Sequence, residues 1–336
     1  MAAEEGEYPR LRLAGFGDFN FSRERRIEGP RGFSVGQFVL HLTSQLSSRV
    51  TFFGEISFTA RTDAGTGSPP APGFNAEIER MILRFDRSDR LRLSFGRYHT
   101  PINYWNTAFH HGGWLQTTIS RPEMIQFGGR LLPVHFVGAL VEGTVPAGGL
   151  NLGYKAGVGN GRAGVISRGG DAGDVNSDAS YLVNLASKPD AVYGLEFGAS
   201  LYADTITPAT GDKVRERIVT AHVTYQKETP ELIAEVALVR HEQAGSVLWS
   251  RAYYLQAAHR FPWDERRWKG YYRFEHINIP PADLTFAAVR NLDGSTLGIR
   301  YEASPFAAVK LEYRTWLRGA GSTRDHGGYF QVAFTF

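Results

Sequence analysis

From Ala307 to Arg318 the chain alternates strictly, with Ala307, Val309, Leu311, Tyr313, Thr315 and Leu317 set between Ala308, Lys310, Glu312, Arg314, Trp316 and Arg318. A two-residue period puts successive side chains on opposite faces of a β-strand, here one oily and one charged. The same period recurs at Leu11–Phe21, Arg49–Arg61, Leu150–Val158 and Tyr193–Leu201. Followed along the whole chain, it predicts about sixteen strands. Their connections alternate in length: Arg87–Arg90 and Lys227–Glu231 are short, whereas Thr62–Gly73 and Asn160–Asp178 are long. A soluble sandwich would show the same two-faced strands. Short turns at one end, long loops at the other and an even strand number are instead the pattern of a transmembrane barrel. The expected fold class is all-β: a transmembrane antiparallel β-barrel of about sixteen strands over residues 11–336, preceded by an N-terminal periplasmic extension at 1–10.

The third long connection, residues 97–133, is the longest interruption of the alternation, and the sequence predicts it to fold into the lumen as a constriction loop. It carries Tyr98, Tyr104, Trp105, Phe109 and Trp114, the histidines His99, His110 and His111, and Pro101, Pro122 and Pro133, which break helices and central strands. From Arg90 to Pro122 there is no Asp or Glu. The expected pore constriction is therefore Arg92, Arg97, His99, Tyr104, Trp105, His110, His111, Trp114 and Arg121.

If the apolar row faces lipid, the other row lines the lumen, because Arg or Lys on the lipid face costs about 2–4 kcal/mol at mid-bilayer. Parity then assigns Arg80, Arg84, Arg273, Arg300, Lys310, Glu312 and Arg314 to the lumen, together with Arg12, Arg61, Arg92, Lys155 and Arg318 and the acids Asp18, Glu55, Asp86, Glu196, Glu235, Glu275 and Glu302. A loop without acids before Glu123 and a slight basic excess predict a mild anion preference. The competing reading is that these charges pair across neighbouring strands and hold the wall.

Composition narrows the classes further. The 336 residues hold 38 Gly, 13% aromatics, no Cys and a net charge of +3. Without cysteine there are no disulfides, thiolate metal sites or haem attachments, and interspersed charges give no reason to expect nucleic acid. No run of about 18 apolar residues is present, so no transmembrane helix is expected. The start MAAEEGEYPR lacks the charged and apolar regions of a signal peptide, which suggests a mature form with an added Met1. No plug-sized domain precedes Leu11, which disfavours energised import.

The stretch FGRYHTPINYW at Phe95–Trp105, the long loop after it and the closing YFQVAFTF at Tyr329–Phe336 resemble Gram-negative outer-membrane porins of the phosphate-selective porin O/P type. The resemblance implies a homotrimer in the outer membrane, passive diffusion of small hydrophilic solutes, contacts with membrane lipid and lipopolysaccharide, and no catalytic residue or cofactor. The closing aromatics Phe334 and Phe336 are similar to the terminal signature by which the barrel-assembly machinery recognises such chains. No lysine ladder or arginine set matches residue by residue, so phosphate selectivity does not follow.

Other chemistries fit the sequence less well. Adjacent histidines on an extended segment point to opposite sides, and no carboxylate lies near His99, His110 and His111 in sequence, so no metal site is expected. An outer-membrane lipase would need Ser120 with His110 or His111, but no GxSxG is present. GVGNGRAG at Gly157–Gly164 lacks the GK[ST] of a phosphate loop and reads as an extracellular connection. Trp249, Tyr253, Tyr254, Trp268, Tyr271 and Tyr272 read as an interfacial aromatic girdle, with a carbohydrate-stacking track as the sharper alternative. A substrate-specific channel for an organic acid, phosphate or sugar and a structural barrel are the remaining alternatives.

Overall fold

The computed structural model describes residues 8–24, 31–127, 130–162, 164, 166, 170–208, 211–319 and 324–336. Most of the expected N-terminal extension, residues 1–7, and positions 128–129 of the constriction loop lie outside them. Among the described residues the strands are β1 (Arg10–Glu24), β2 (Gly32–Gln45), β3 (Val50–Ala60), β4 (Phe74–Ser88), β5 (Leu91–His99), β6 (His135–Val145), β7 (Leu152–Asn160) and β8 (Ser180–Ser187). They continue as β9 (Leu195–Ile206), β10 (Val214–Gln226), β11 (Glu231–Gln243), β12 (Ser246–Arg260), β13 (Trp268–Asn278), β14 (Leu292–Ser304), β15 (Ala307–Arg318) and β16 (Asp325–Thr335). Each pairs antiparallel with its chain neighbours, and β1 closes on β16 with Gly17 opposite Phe334 and Phe21 opposite Phe330. Closure leaves no sheet edge, which is what a bilayer demands of β-structure.

The expected strands are all present, and two details differ. The β11–β12 connection shrinks to Ala244 and Gly245, both at positive φ (49° and 80°), as a two-residue hairpin turn requires. Of the stretch Gly157–Gly164, read as an extracellular connection, Gly157–Asn160 finish β7, in keeping with the alternation over Leu150–Val158; Ala163 of the same stretch lies outside the described residues.

The oily row points outward. Leu11, Leu13, Val219, Val223, Leu255, Leu297 and Leu311 are all exposed on the barrel exterior, the arrangement of a wall solvated by lipid. Val219, near the middle of β10, is 42% exposed. Val219→Arg is expected to cost about 2–4 kcal/mol of folding into vesicles, measured as a shift in the denaturant midpoint; an unchanged midpoint would place that face away from lipid.

The inner wall is not uniformly polar. Ile218 of β10, Ile233, Ala237 and Val239 of β11, Ala252 of β12 and Ile277 of β13 point inward and join a buried apolar cluster. The other half of that cluster comes from the β5–β6 connection: Ile102, Trp105, Met124, Ile125, Leu131 and Leu132. Trp105, Ile102, Ile125 and Leu132 are at most 1% exposed. Each such side chain contributes about 1.5–3 kcal/mol on burial, so this connection is a packed insert inside the barrel.

Candidate functional site: the loop folded across the lumen

The connection between β5 and β6, here called L3, leaves the wall at His99 and returns at His135. Its first turn is the short helix α1 (Tyr104–Phe109), started by Asn103, whose side chain accepts from Asn106 N at 3.3 Å. A helix start leaves backbone N–H groups without partners and attracts negative charge. The Glu235 carboxylate of β11 meets that need: it accepts from Tyr104 N at 2.6 Å and Trp105 N at 2.9 Å, and from the Tyr254 hydroxyl at 2.6 Å.

The same device repeats along L3. Glu312 of β15 accepts from Ile119 N at 2.8 Å and Ser120 N at 3.2 Å, and Glu275 of β13 accepts from Glu123 N at 2.6 Å. Cations of the wall take the carbonyls. Arg273 donates to Ser120 O and Arg121 O at 2.9 and 3.1 Å. Arg300 donates to Trp114 O at 2.7 Å and Gln116 O at 2.5 Å, and Lys310 to Gly113 O and to Thr118 O, the latter at 3.0 Å. Acids and bases of β11 and β13–β15 thus fasten the backbone of L3 across the lumen. An acid within the loop would face these wall carboxylates, which accounts for its lack of Asp and Glu before Glu123. Burial and the neighbouring Glu275 hold the Glu123 carboxyl above its usual range.

The lumen charges predicted from parity therefore divide by role. Arg273, Arg300, Lys310 and Glu312 are buried and spent on the loop. Arg314 pairs with Glu312 at 2.5 Å, Arg80 with Glu55, and Arg84 with Asp86 at 2.8 Å. The predicted constriction residues divide likewise. Trp105 is core; Tyr104 packs its ring against Phe109 at 5.9 Å, and Trp114 offers its carbonyl to Arg300. Arg121 is buried under L3, its guanidinium 3.7 Å from the Phe127 ring, and burial pushes its pKa down to about 9.

Arg97 lines the lumen because β4 and β5 are both irregular. A bulge places Glu79 and Arg80 in succession opposite Glu55, and Arg97 donates to the carbonyls of Ile78 and Glu79 at 2.6 and 2.7 Å. Its carboxylate partners are Asp171 at 2.7 Å, Glu77 at 3.4 Å and Glu79 at 3.7 Å. Gly96 permits this by lying against β4 at φ +144°, where a Cβ would sit 1.8 Å from Met81 O. The structure does not bring Arg92 to Arg97 and Arg121: it sits at the short-turn end of β5, paired with Asp89 at 3.0 Å.

His99, His110 and His111 converge, contrary to the expectation that neighbouring histidines diverge. His110 caps the helix in αR geometry (φ −50°, ψ −49°), so His111 follows it around a turn rather than along an extended strand. His135 and Glu79 join them, and sequence reasoning missed both. Glu79 was hidden by the bulge, which shifts inward parity by one residue. The inward-facing apolar residues were missed too, although β11 carries Leu232, Ile233, Ala234, Val236, Ala237, Leu238 and Val239, a nearly continuous apolar run that signals burial on both faces. Tyr254 and Tyr271, read as girdle residues, are instead buried inside, donating to Glu235 and Glu312, while Trp249, Tyr253 and Tyr272 are exposed outside.

Space remains on either side of L3. Towards the long loops, a cavity of about 1170 Å³ is lined by Asp18, Glu77, Arg97, Gln116, Arg314 and Gln331 among others. Towards the short turns, one of about 360 Å³ is lined by Arg92, Tyr104, Glu142, Lys155, Lys188 and Glu196 among others.

The chain is similar in structure to an anion-selective porin from Comamonas acidovorans, at 12% identity and a TM-score of 0.70, covering 98% of this chain and 100% of that one. The fold is that of an outer-membrane porin. Two further barrels agree with it: OmpF of Salmonella typhi in complex with daunomycin, 14% identical, TM-score 0.64, covering 98% of both chains, and the outer-membrane channel DcaP of Acinetobacter baumannii, 10% identical, TM-score 0.64, covering 99% of both. No family model matches the chain, and no curated protein matches it in sequence.

Proposed function

We propose that this protein is a passive porin of the Gram-negative outer membrane, carrying small hydrophilic solutes past L3 with a mild preference for anions. The reading rests on one observation: a closed membrane-spanning barrel whose third loop is fastened across the lumen, with polar cavities on both sides of it. No step of bond chemistry is part of the proposal. The Ser120 hydroxyl, considered above as a nucleophile, accepts a hydrogen bond from Arg273 Nη2 at 2.6 Å. The homotrimer, the lipid and lipopolysaccharide at its exterior, and the reading of Phe334 and Phe336 by the barrel-assembly machinery belong to the same proposal, as does the likeness to porins of the phosphate-selective type. Liposome swelling by small sugars and amino acids tests it; vesicles that stay closed to every solute would favour a structural barrel.

The anion preference is assigned to the cavity nearest the short turns. There Arg92 and Lys188 are ion-paired with Asp89 and Glu196, whereas Lys155 makes no ion pair among the described residues and stands opposite Glu142 in the strand ladder. A free cation in a narrow low-dielectric passage attracts anions more than a paired one does. Lys155→Glu is therefore expected to move the zero-current potential in a salt gradient towards cation preference, with conductance little changed. A potential unmoved by that two-unit charge change would remove this cavity from the permeation path.

A further inference from the structure

The root of L3 holds a convergence of four histidines and a carboxylate. His99 ends β5 and His135 begins β6, and the two are register partners where the loop leaves and rejoins the wall. His110 and His111 come from inside the loop, after α1, and Glu79 comes from the bulge of β4. Glu79 Oε2 lies 2.8 Å from His135 Nε2, 3.2 Å from His111 Nε2 and 4.0 Å from His110 Nε2. One ligand atom from each of Glu79, His99, His110 and His111 falls within 4.8 Å of all the others. In a shell with bonds of about 2.1 Å, adjacent donor atoms stand roughly 3 Å apart and opposite ones roughly 4.2 Å, so the spread is nearly that of a coordination sphere.

The donor atoms are also left open. Glu79, His99, His110 and His111 are at most 6% exposed. Yet Glu79 Oε2 and the Nε2 atoms of His99, His110, His111 and His135 all lack an aligned hydrogen-bond partner. Glu79 Oε2 meets the Nε2 atoms of His135 and His111, and His99 Nε2 lies 3.4 Å from Glu55 Oε2, so carboxylate and ring nitrogens face one another without an aligned bond, an arrangement that one shared cation satisfies.

Outer contacts fix which ring nitrogen faces the centre. The Asn106 amide donates from Nδ2 to Thr100 O at 3.1 Å and Val134 O at 2.9 Å, so its Oδ1 is an acceptor, and it lies 2.6 Å from His110 Nδ1. His110 must then carry its proton on Nδ1 and present the Nε2 lone pair inward. His111 Nδ1 faces Gln37 Oε1 in the same way at 3.1 Å. An imidazole whose outer N–H is held by a carbonyl-type oxygen is the usual form of a metal-binding histidine. Two cations border the cluster: Arg97 Nη1 lies 3.7 Å from Glu79 Oε2, and Arg121 Nη2 lies 3.3 Å from His110 Nδ1, away from the centre.

We propose that Glu79, His99, His110 and His111, with His135 against Glu79, bind one divalent transition-metal ion, which ties the first root of L3 and its interior to β4. Imidazole nitrogens with a single carboxylate suit zinc, copper or nickel, while magnesium and calcium prefer all-oxygen shells. Glu79 and His135 also line the cavity on the long-loop side of L3, and the test of the site does not depend on transport. Untagged full-length protein in detergent is stripped with chelator, dialysed against micromolar zinc chloride and assayed for metal by mass spectrometry. One zinc per chain is expected, with affinity lowered by about tenfold or more in Asn106→Ala, which touches no metal but frees the His110 ring, and with no retained zinc in His110→Ala/His111→Ala. Heat-modifiable gel migration verifies that each variant is a folded barrel. Wild-type protein that retains no zinc overturns the proposal without reference to any variant. So does a folded double variant that still holds one equivalent, which would place the ion on surface histidines.

Discussion

Deletion of Asn103–Thr118 is expected to raise single-channel conductance by at least about twofold, since a sixteen-stranded barrel without an insert is an open aqueous channel. The deleted segment contains α1, Trp105 and the carbonyls that receive Arg300 and Lys310. No strand of the barrel lies in it, so the ladder that closes the barrel is untouched. What the deletion uncovers is mixed in sign: Glu235 loses its N–H partners Tyr104 and Trp105, and Arg300 and Lys310 lose their carbonyls, whereas the partners of Glu312, Ile119 and Ser120, lie beyond the deleted segment. Ion preference should therefore change much less than conductance. Planar-bilayer recordings decide the matter, and an unchanged conductance would mean that ions pass without meeting L3.

The barrel itself was legible because its signal is local. A period of two is written into each strand, and lipid outside requires the apolar row to be continuous, as Leu311, Tyr313 and Leu317 show for β15. The place of L3 was legible for a related reason: no strand pattern absorbs its aromatics and prolines. Its partners were not. The bonds from Glu235 and Glu312 to L3 join residues 130 to 193 positions apart, and nothing near Arg273 in the chain says whether it lines water or holds a carbonyl. Parity placed Arg273, Arg300, Lys310 and Glu312 on the correct face but could not tell a pore charge from an anchor. At β4 parity itself failed, because one bulged residue turns Glu79 inward beside Arg80. That single irregularity concealed the carboxylate that completes the histidine cluster.

Arg273→Ala is expected to release L3 while leaving the barrel standing. Arg273 is fully buried, and it bonds Ser120 O, Ser120 Oγ and Arg121 O of the loop as well as Glu275 of its own strand at 2.8 Å. Truncation takes one donor from the buried Glu275 carboxylate and from two loop carbonyls, and breaking a buried pair in this way costs about 3–5 kcal/mol. The cost falls on loop docking, because β13 keeps its backbone bonds to β12 and β14 whether or not the side chain is present. Hydrogen exchange should accordingly rise by orders of magnitude over residues 113–127 while the strand amides stay protected, and conductance should become larger and noisier. Arg273→Lys keeps the charge but offers a single ammonium in place of a planar fork, so it should fall between the two. If Arg273→Ala instead unfolds the barrel and L3 together, the loop is not a separately docked unit, and the hydrophobic cluster around Trp105 rather than the charged strip would be what holds it.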